Sequence, residues 1–73
     1  MDTKIPTSNL TLGDRIKLVR NRRSQAEFAL LIGKKKDKVI MYEANVDTPS
    51  LLTLSKIAEI GDVTIDWLFH GSR

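Results

Sequence analysis

A cluster of lysines lies near the middle of the chain, in the segment GKKKDKVIMYE at residues 33–43. Four of the first six residues of this segment are lysines, and the apolar run VIMY follows directly. Two interpretations fit the pattern. The lysines are either a solvated charge run before a core segment, or the leading edge of a helix that presses against a negatively charged partner. Ammonium groups bind phosphate as point charges, so the chemistry that this segment offers is the binding of a polyanion.

The residue types that catalysis and metal binding require are scarce in this sequence. The chain has no cysteine and a single histidine, His70. The absence of cysteine excludes disulfides, thiol nucleophiles and Cys-based zinc sites, and one histidine disfavours a histidine-built metal site. Serine, histidine and aspartate all occur, but a domain this small shows no oxyanion-hole motif for a hydrolytic triad. We therefore expect no enzymatic activity, no metal and no cofactor.

The positive charge of the chain is unevenly placed. Twelve Lys and Arg residues against nine Asp and Glu residues give a net charge of only +3, but nine of the twelve fall within residues 15–38, whereas residues 43–66 are net acidic. This concentration favours a polyanionic partner. The N-terminal MDTKIPTSNL does not resemble a secretory signal, and no stretch approaches the ~20 apolar residues of a membrane span, so we expect a cytoplasmic protein with no membrane partner.

Helical periodicity and capping residues predict five helices and no strand. A chain of 73 residues is one domain. Residues 1–10 have no hydrophobic period and are predicted to be a flexible lead-in to a domain at 11–71. Thr11 and Ser24 are each followed three residues later by an acidic residue, as in a capping box, and Ser50 and Thr64 can cap further helices. The predicted helices cover 12–22, 25–32, 36–44, the stretch after Ser50 up to Gly61, and the stretch from Ile65 to Gly71, with Leu31 and Leu51 on buried faces.

The second and third helices have the spacing of a helix-turn-helix. Ala29 provides a small residue where the two helices must approach closely, and Gly33, four residues later, can adopt a left-handed conformation without steric cost. Val39 and Tyr42 lie three residues apart and are predicted to be buried. Two short helices joined by a tight turn, with positive charge leading the second, are typical of proteins that insert the second helix into the major groove of DNA.

The segment SQAEFALLIGKKKDKVIMYEANVDTPS at 24–50 resembles the Cro and phage-repressor type of helix-turn-helix proteins, also called the lambda-repressor-like or XRE family. The resemblance extends to LGDRIKLVR before this segment and to LLTLSKIAEIGDVTIDWLFHG after it, so that it covers about 12–71. It implies an all-α fold, a compact five-helix lambda-repressor-like DNA-binding domain with the helix-turn-helix at helices 2 and 3. It also implies that the third helix reads the major groove.

The resemblance also implies roles for individual residues. Gln25 matches a glutamine that often touches a phosphate, and Asn45 matches a residue, usually glycine, that lets the following loop approach the phosphates. Arg20 and Glu43 match an ion pair that links the first helix to the third. The residues implied or expected to contact DNA are Gln25, Lys34, Lys35, Lys36, Asp37, Lys38, Ile40, Met41 and Asn45, of which Lys36, Asp37, Ile40 and Met41 match the base-facing positions.

This sequence departs from the family pattern at several of these positions. Lys34 stands where an aliphatic residue is usual and Lys35 where Ser or Thr usually caps the third helix, so an irregular start of that helix is possible. Ile40 and Met41 can contact thymine methyl groups but cannot make a bidentate hydrogen bond, and Asp37 repels phosphate unless it accepts a hydrogen bond from a cytosine amino group.

Two functions are compatible with these observations. The first is a sequence-specific double-stranded DNA-binding transcriptional regulator of phage or prophage type, a repressor that binds a two-fold operator as a homodimer. The apolar residues Trp67 to Phe69 are the first candidates for the dimer contact. The alternative is a protein-interaction or antitoxin-like module on the same fold, which the apolar Ile40 and Met41 suggest.

Overall fold

The computed structural model describes residues 9–71, and within this range the chain forms five α-helices and no strand. The predicted all-α, five-helix fold is confirmed, while the greater part of the predicted lead-in lies outside the described residues. No helix in residues 9–71 is both long enough and apolar enough to cross a membrane. The helices are α1 (Leu12–Arg20), α2 (Gln25–Ile32), α3 (Lys36–Glu43), α4 (Leu51–Gly61) and α5 (Ile65–His70).

Side-chain caps define where four of the helices begin. The Thr11 hydroxyl accepts a hydrogen bond from the Asp14 backbone N–H, and the Asp14 carboxylate accepts one from the Thr11 N–H, so the capping box is complete. Ser24 and Glu27 form the same reciprocal pair at α2. Ser50 and Thr64 cap α4 and α5. Each cap of this kind stabilises a helix by about 1 kcal/mol.

Two predicted helix ends were placed too late. Helix α1 ends at Arg20, and not at residue 22, because Asn21 adopts a positive φ of 58° with a ψ of −122° and its N–H donates to the Lys17 carbonyl. Helix α3 ends at Glu43, one residue before the predicted end. The predicted break after α4 is present, but Gly61 is the last helical residue and Asp62, with a φ of 54°, is the left-handed residue.

The hydrophobic core lies between the five helices. Two predictions of burial were wrong, those for Leu31 and Leu51. In α2 the buried residues are Phe28, Ala29 and Ile32, whereas the side chain of Leu31 is 53% exposed. Leu31 lies more than a quarter turn from the centre of that buried arc, at about 100° per residue. Leu51 is 69% exposed because the buried arc of α4 is centred on Leu54 and Ile57. The buried apolar residues are Ile16, Val19, Phe28, Ala29, Ile32, Val39, Tyr42, Leu54, Ile57, Ala58 and Leu68.

A buried arginine joins the first helix, α1, to the last helix, α5. Arg15 is only 2% exposed, and its guanidinium donates to the carbonyl oxygens of Leu68 at 3.1 Å and Phe69 at 2.9 Å. These carbonyls belong to the C-terminal part of α5, where a positive charge is favourable. Arg15 therefore holds α5 against α1 and contributes nothing to the basic surface in which the sequence analysis included it. Trp67 to Phe69 were expected to be exposed apolar residues that could form the dimer contact. That expectation was wrong for Leu68, which is fully buried.

Helix α1 approaches its neighbours closely at two glycines. A Cβ atom on Gly13 would lie 2.7 Å from the Tyr42 carbonyl oxygen and closer still to that of Glu43. A Cβ atom on Gly61 would lie 2.8 Å from Cγ2 of Val19. Both distances are well inside van der Waals contact. The N-terminal end of α1 is therefore packed directly onto the backbone at the C-terminal end of α3.

Candidate nucleic-acid interface

Helix α3 has two chemically distinct faces. Val39, Tyr42 and Glu43 point inward, with exposed fractions of 0%, 4% and 8%. Helix α2 packs against this inner face, as a helix-turn-helix requires. The outward face is exposed along the length of the helix and carries one cation, one anion and two apolar side chains. Its members are Lys36, Asp37, Ile40 and Met41, which are the four predicted base-facing residues.

The turn between α2 and α3 is formed as the glycine predicts. Gly33 adopts the left-handed conformation, with φ 71° and ψ 34°, and the Lys34 N–H donates to the Ala29 carbonyl at 2.9 Å. The side chains of Lys34 and Lys35 are exposed on this turn. A lysine in place of the usual aliphatic residue is tolerated there because position 34 faces solvent.

The start of α3 is regular in its backbone but lacks a side-chain cap. Lys35 is the N-cap residue, in an extended conformation with φ −85° and ψ 157°, and it makes no capping hydrogen bond. Lys38 N–H bonds back to the Lys35 carbonyl at 3.0 Å. Asp37 lies in the first turn, where a negative charge interacts favourably with the helix dipole. This carboxylate partly replaces the stabilisation that a serine or threonine cap would have provided.

Glu43 is the centre of a polar network beneath α3. The Arg20 guanidinium donates to both carboxylate oxygens of Glu43, from Nε to Oε2 at 2.6 Å and from Nη2 to Oε1 at 3.1 Å. The Glu43 side chain is only 4% exposed and that of Arg20 is 18% exposed. Arg20 also donates to the Arg23 carbonyl at 2.9 Å, which fixes the chain between α1 and α2. The ion pair thus joins the last residue of α1 to the last residue of α3.

Gln25, which the resemblance assigned to phosphate contact, is part of this network. Its side-chain Nε2 donates to Oε1 of Glu43 at 3.1 Å. No sequence pattern indicates this bond, because Gln25 and Glu43 are 18 residues apart. One amide hydrogen is directed inward, and a second hydrogen on the same nitrogen remains for another acceptor. The orientation of Gln25 therefore depends on Glu43.

Asn45 connects the loop after α3 to the first turn of α1. Its φ of 61° is the left-handed conformation that its position predicts. Its side-chain Oδ1 accepts a hydrogen bond from the Gly13 backbone N–H at 2.9 Å, and its Nδ2 donates to the Thr11 hydroxyl at 2.9 Å. A glycine, usual at this position in the family, would permit the backbone conformation but could not make either bond. Asn45 thereby holds this loop in place, and the second hydrogen on its Nδ2 remains for another acceptor.

Lys38, grouped with the other lysines as a DNA contact, is paired within the protein. Its ammonium donates to the carboxylate of Asp47, in the loop between α3 and α4. The hydrogen bond from Lys38, followed by that from the Thr48 backbone N–H, lowers the pKa of Asp47 below its usual value, and the hydrogen bond to Asp47 raises the pKa of Lys38. Lys38 therefore differs from Lys34, Lys35 and Lys36, which are exposed and form no salt bridge among the described residues, although the charge of Lys34 is close enough to Asp47 to contribute to its lowered pKa.

The arrangement is suited to binding an extended anion and reading its edge. Three exposed lysines surround the start of α3, and the outward face of the helix continues from them. Among residues 9–71, no three His, Cys, Asp or Glu side chains come together in a way that could hold a metal ion. The lysines, Asp37 and the apolar side chains of this surface offer electrostatic attraction, hydrogen bonding and apolar contact, which are the means by which proteins bind and read DNA.

Comparisons with known proteins agree with this geometry. Residues 16–68 match the family model described as helix-turn-helix. The P22 c2 repressor protein, in its crystal structure with a synthetic operator, superposes with a TM-score of 0.81 at 20% identity, covering 88% of this chain and 100% of that chain. The solution structure of the DNA-binding domain of the P22 c2 repressor gives a TM-score of 0.75 at 20% identity, covering 97% of this chain and 88% of that chain. No curated protein sequence matches the chain.

The family match covers well over half of the chain, and the two structural matches establish the fold. The resemblance deduced from the spacing of Gln25, Ala29, Gly33 and Val39 is thereby confirmed. The chain belongs to the helix-turn-helix family of the Cro and phage-repressor type, a family of DNA-binding transcription regulators.

Proposed function

We propose that this protein is a sequence-specific repressor of phage or prophage type, which acts in the cytoplasm and binds double-stranded DNA by placing α3 in the major groove. The observation that carries the proposal is the division of α3 into a buried face, anchored through Glu43, and an exposed face of Lys36, Asp37, Ile40 and Met41. Direct readout of base edges requires a helix whose inner face is fixed to the rest of the protein and whose outer face is exposed.

The affinity would come mainly from phosphate contacts around the start of α3. Lys34 and Lys35 extend from the turn, and the second amide hydrogen of Gln25 is available at the N-terminus of α2, where the helix dipole favours an anion. These contacts do not depend on base sequence and weaken as salt concentration rises. Discrimination between sequences is then left to the outward face of α3.

A dimer follows from the short length of α3. Eight residues extend about 12 Å at 1.5 Å per residue, so one copy of the helix reads only a few base pairs. Two copies on a two-fold operator, with half-sites about 34 Å apart, would recognise a site long enough to be selective. Phe69, at 42% exposed, is the most accessible apolar residue of α5, and Leu51 and Leu52, each 69% exposed, form a second apolar surface at the start of α4.

A second candidate function, a protein-interaction or antitoxin-like module, is favoured by the exposed apolar residues outside α5. Leu30 is 81% exposed, Leu31 is 53% exposed and Val46 is 71% exposed. A pure protein-binding module would use such surfaces and would show no dependence of DNA affinity on salt. The two functions are therefore separated by one measurement on DNA.

The test is selection of preferred sites from a random duplex pool, followed by measurement of affinity for the selected site by fluorescence anisotropy at 50 and 200 mM salt. A repressor with six phosphate contacts should select a two-fold sequence and lose about 10³-fold in affinity between these concentrations. Replacement of Lys35 and Lys36 by alanine should reduce the salt slope, the change in log K with log salt concentration, by about 0.9 through the lost phosphate contact of Lys35. The loss of Lys36 should lower the affinity further and relax the preference at one base pair. The matched control is Lys17→Ala, an exposed lysine on α1 outside the helix-turn-helix. Equal binding by wild type and the folded double variant would contradict the proposed docking.

A further inference from the structure

The one acidic residue on the outward face of α3 has no hydrogen-bonding or ion-pair partner among the residues that the structure describes. Asp37 is exposed, and within residues 9–71 its carboxylate makes no hydrogen bond or ion pair, although Lys34, Lys35 and Lys36 are all nearby in the chain. The neighbouring Lys38 is occupied by Asp47. An unpaired carboxylate on a surface that approaches phosphates weakens binding unless it meets a hydrogen-bond donor on the DNA.

The bases limit what this donor can be. In the major groove, exocyclic amines occur on cytosine and adenine only, and acidic side chains characteristically accept from cytosine N4. Adenine presents its N7 acceptor beside the amine, so a carboxylate at adenine meets a second, repulsive group. In a C·G pair the cytosine amine has the guanine O6 acceptor on one side but only the C5 edge of cytosine on the other, so a carboxylate can approach from the C5 side without meeting a second acceptor. Asp37 therefore selects cytosine on electrostatic grounds.

Two apolar side chains lie one helical turn further along the same strip. Ile40 and Met41 are 41% and 36% exposed, and they follow Asp37 by three and four residues, so their Cβ atoms lie about 5–6 Å from that of Asp37. The 5-methyl group of a pyrimidine is the apolar group that the major groove offers to such residues. The base 5-methylcytosine carries both the amino group and the methyl group on one ring. In thymine the methyl group lies beside the O4 acceptor, which Asp37 would repel.

We infer that α3 reads a cytosine amino group with a pyrimidine 5-methyl group beside it, so that the affinity of the protein depends on methyl groups in its site. The inference rests on the proposed DNA-binding function and specifies its ligand. The shared chemistry is an amine accepted by Asp37 and a methyl group packed on Ile40 and Met41. Its two possible sources are 5-methylcytosine, which carries both groups on one ring, and a cytosine next to a thymine.

The test uses the site selected from the unmethylated pool and changes one pyrimidine at a time. Cytosine is replaced by 5-methylcytosine in one series, and thymine by uracil, which lacks the methyl group, in the other. Burial of one methyl-sized group changes affinity about fourfold. A gain of this size from 5-methylcytosine at one cytosine identifies the single-ring source. A loss of this size from uracil beside an unchanged cytosine identifies the two-ring source. Either result supports the inference.

Variants assign the effect to the residues named. The double variant Ile40→Ala, Met41→Ala should bind duplexes with and without the methyl group equally, while its affinity should keep the same dependence on salt concentration. Asp37→Ala should remove the preference for cytosine over thymine at the position that Asp37 contacts. Lys34→Ala is the matched control, because it should weaken methylated and unmethylated duplexes equally. Circular dichroism confirms that each variant is folded.

Two outcomes would overturn the inference in distinguishable ways. If the selected site binds tightly but neither 5-methylcytosine nor uracil changes its affinity by as much as twofold at any position, methyl readout is wrong and the DNA-binding function stands. If no duplex is selected from the pool and binding shows no salt slope, the proposed function itself is wrong, and the inference is overturned with it.

Discussion

Removal of the Arg20 guanidinium should destabilise the protein more than any other single change to a charged surface group. In Arg20→Met, the carboxylate of Glu43 stays 4% exposed and keeps only the hydrogen bond from Gln25. Breaking one partner of a buried ion pair costs about 3–5 kcal/mol, because the other charge is left uncompensated. The free energy of unfolding expected for 73 residues is about 4–11 kcal/mol. The substitution should thus remove a large fraction of the total stability.

The same pair has a consequence for DNA binding. Arg20 ends α1 and Glu43 ends α3, so loss of the pair loosens the support of the helix that carries the reading face. Gln25 loses its orientation as well, since Nε2 is held by the same carboxylate oxygen that accepts from Arg20. We therefore expect weaker binding of the selected duplex even at temperatures at which the variant is folded.

The measurement is urea unfolding at pH 7, followed by circular dichroism. The double variant Arg20→Met, Glu43→Leu should recover most of the lost stability, because apolar residues of similar volume often replace a buried ion pair at little cost. Arg22→Met, at an exposed arginine two residues away, is the control and should change the free energy of unfolding by no more than about 0.5 kcal/mol. A cost below about 1 kcal/mol for Arg20→Met would refute the reasoning, since that is the range of solvent-exposed ion pairs.

Three further substitutions test the contacts around α3. Asn45→Gly keeps the positive φ but loses both side-chain hydrogen bonds, so it should cost about 1–3 kcal/mol and speed hydrogen exchange at the Gly13 amide, as measured by NMR. Gly13→Ala should cost about 1–3 kcal/mol in thermal unfolding, although alanine usually stabilises a helix, because its Cβ would lie 2.7 Å from the Tyr42 carbonyl oxygen. Asp47→Asn frees the Lys38 charge and should steepen the salt slope of DNA binding by about 0.9. In the wild type the pKa of Asp47 is lowered, so its contribution to stability should be present above pH ~3.8 and lost as the pH falls through the lower folded value, which NMR titration of the carboxyl carbon measures.

The parts of the fold that depend on neighbouring residues were predictable from the sequence. The starts of α1 and α2 were predictable because each capping box joins two residues only three positions apart, Thr11 with Asp14 and Ser24 with Glu27. Gly33 signals the turn because a left-handed residue without a Cβ atom is favourable there. The outward face of α3 was also predictable, since burial of Val39 and Tyr42 dictates which positions of an eight-residue helix face away from the core.

Among the contacts between distant residues, the resemblance implied the Arg20–Glu43 ion pair, but the others were not predictable. Arg15 was counted as surface charge because nothing near it in the chain shows that α5 ends against it, more than 50 residues later. The position of Asn45 predicted its left-handed backbone, but nothing in the sequence indicated that its side chain bonds to Gly13 and Thr11, 32 and 34 residues away. Leu31 was assigned to the core because the apolar run of five residues at 28–32 contains no information about which arc of the helix is covered. In each case the missing fact was which elements meet, and not which elements form.

The two ends of α3 are held by different means, and this difference determines where a ligand has most influence. At the C-terminal end, Glu43 is bound by Arg20 and the backbone lies against Gly13, so the position of the helix is fixed by the protein itself. At the N-terminal end, Lys35 provides no side-chain cap, and the first backbone N–H groups of the helix lack intrahelical acceptors. In the proposed docking this is the end that meets the phosphates. Binding should therefore order the first turn of α3 while its last turn stays unchanged, because only the first turn has hydrogen-bond donors left for the DNA to satisfy.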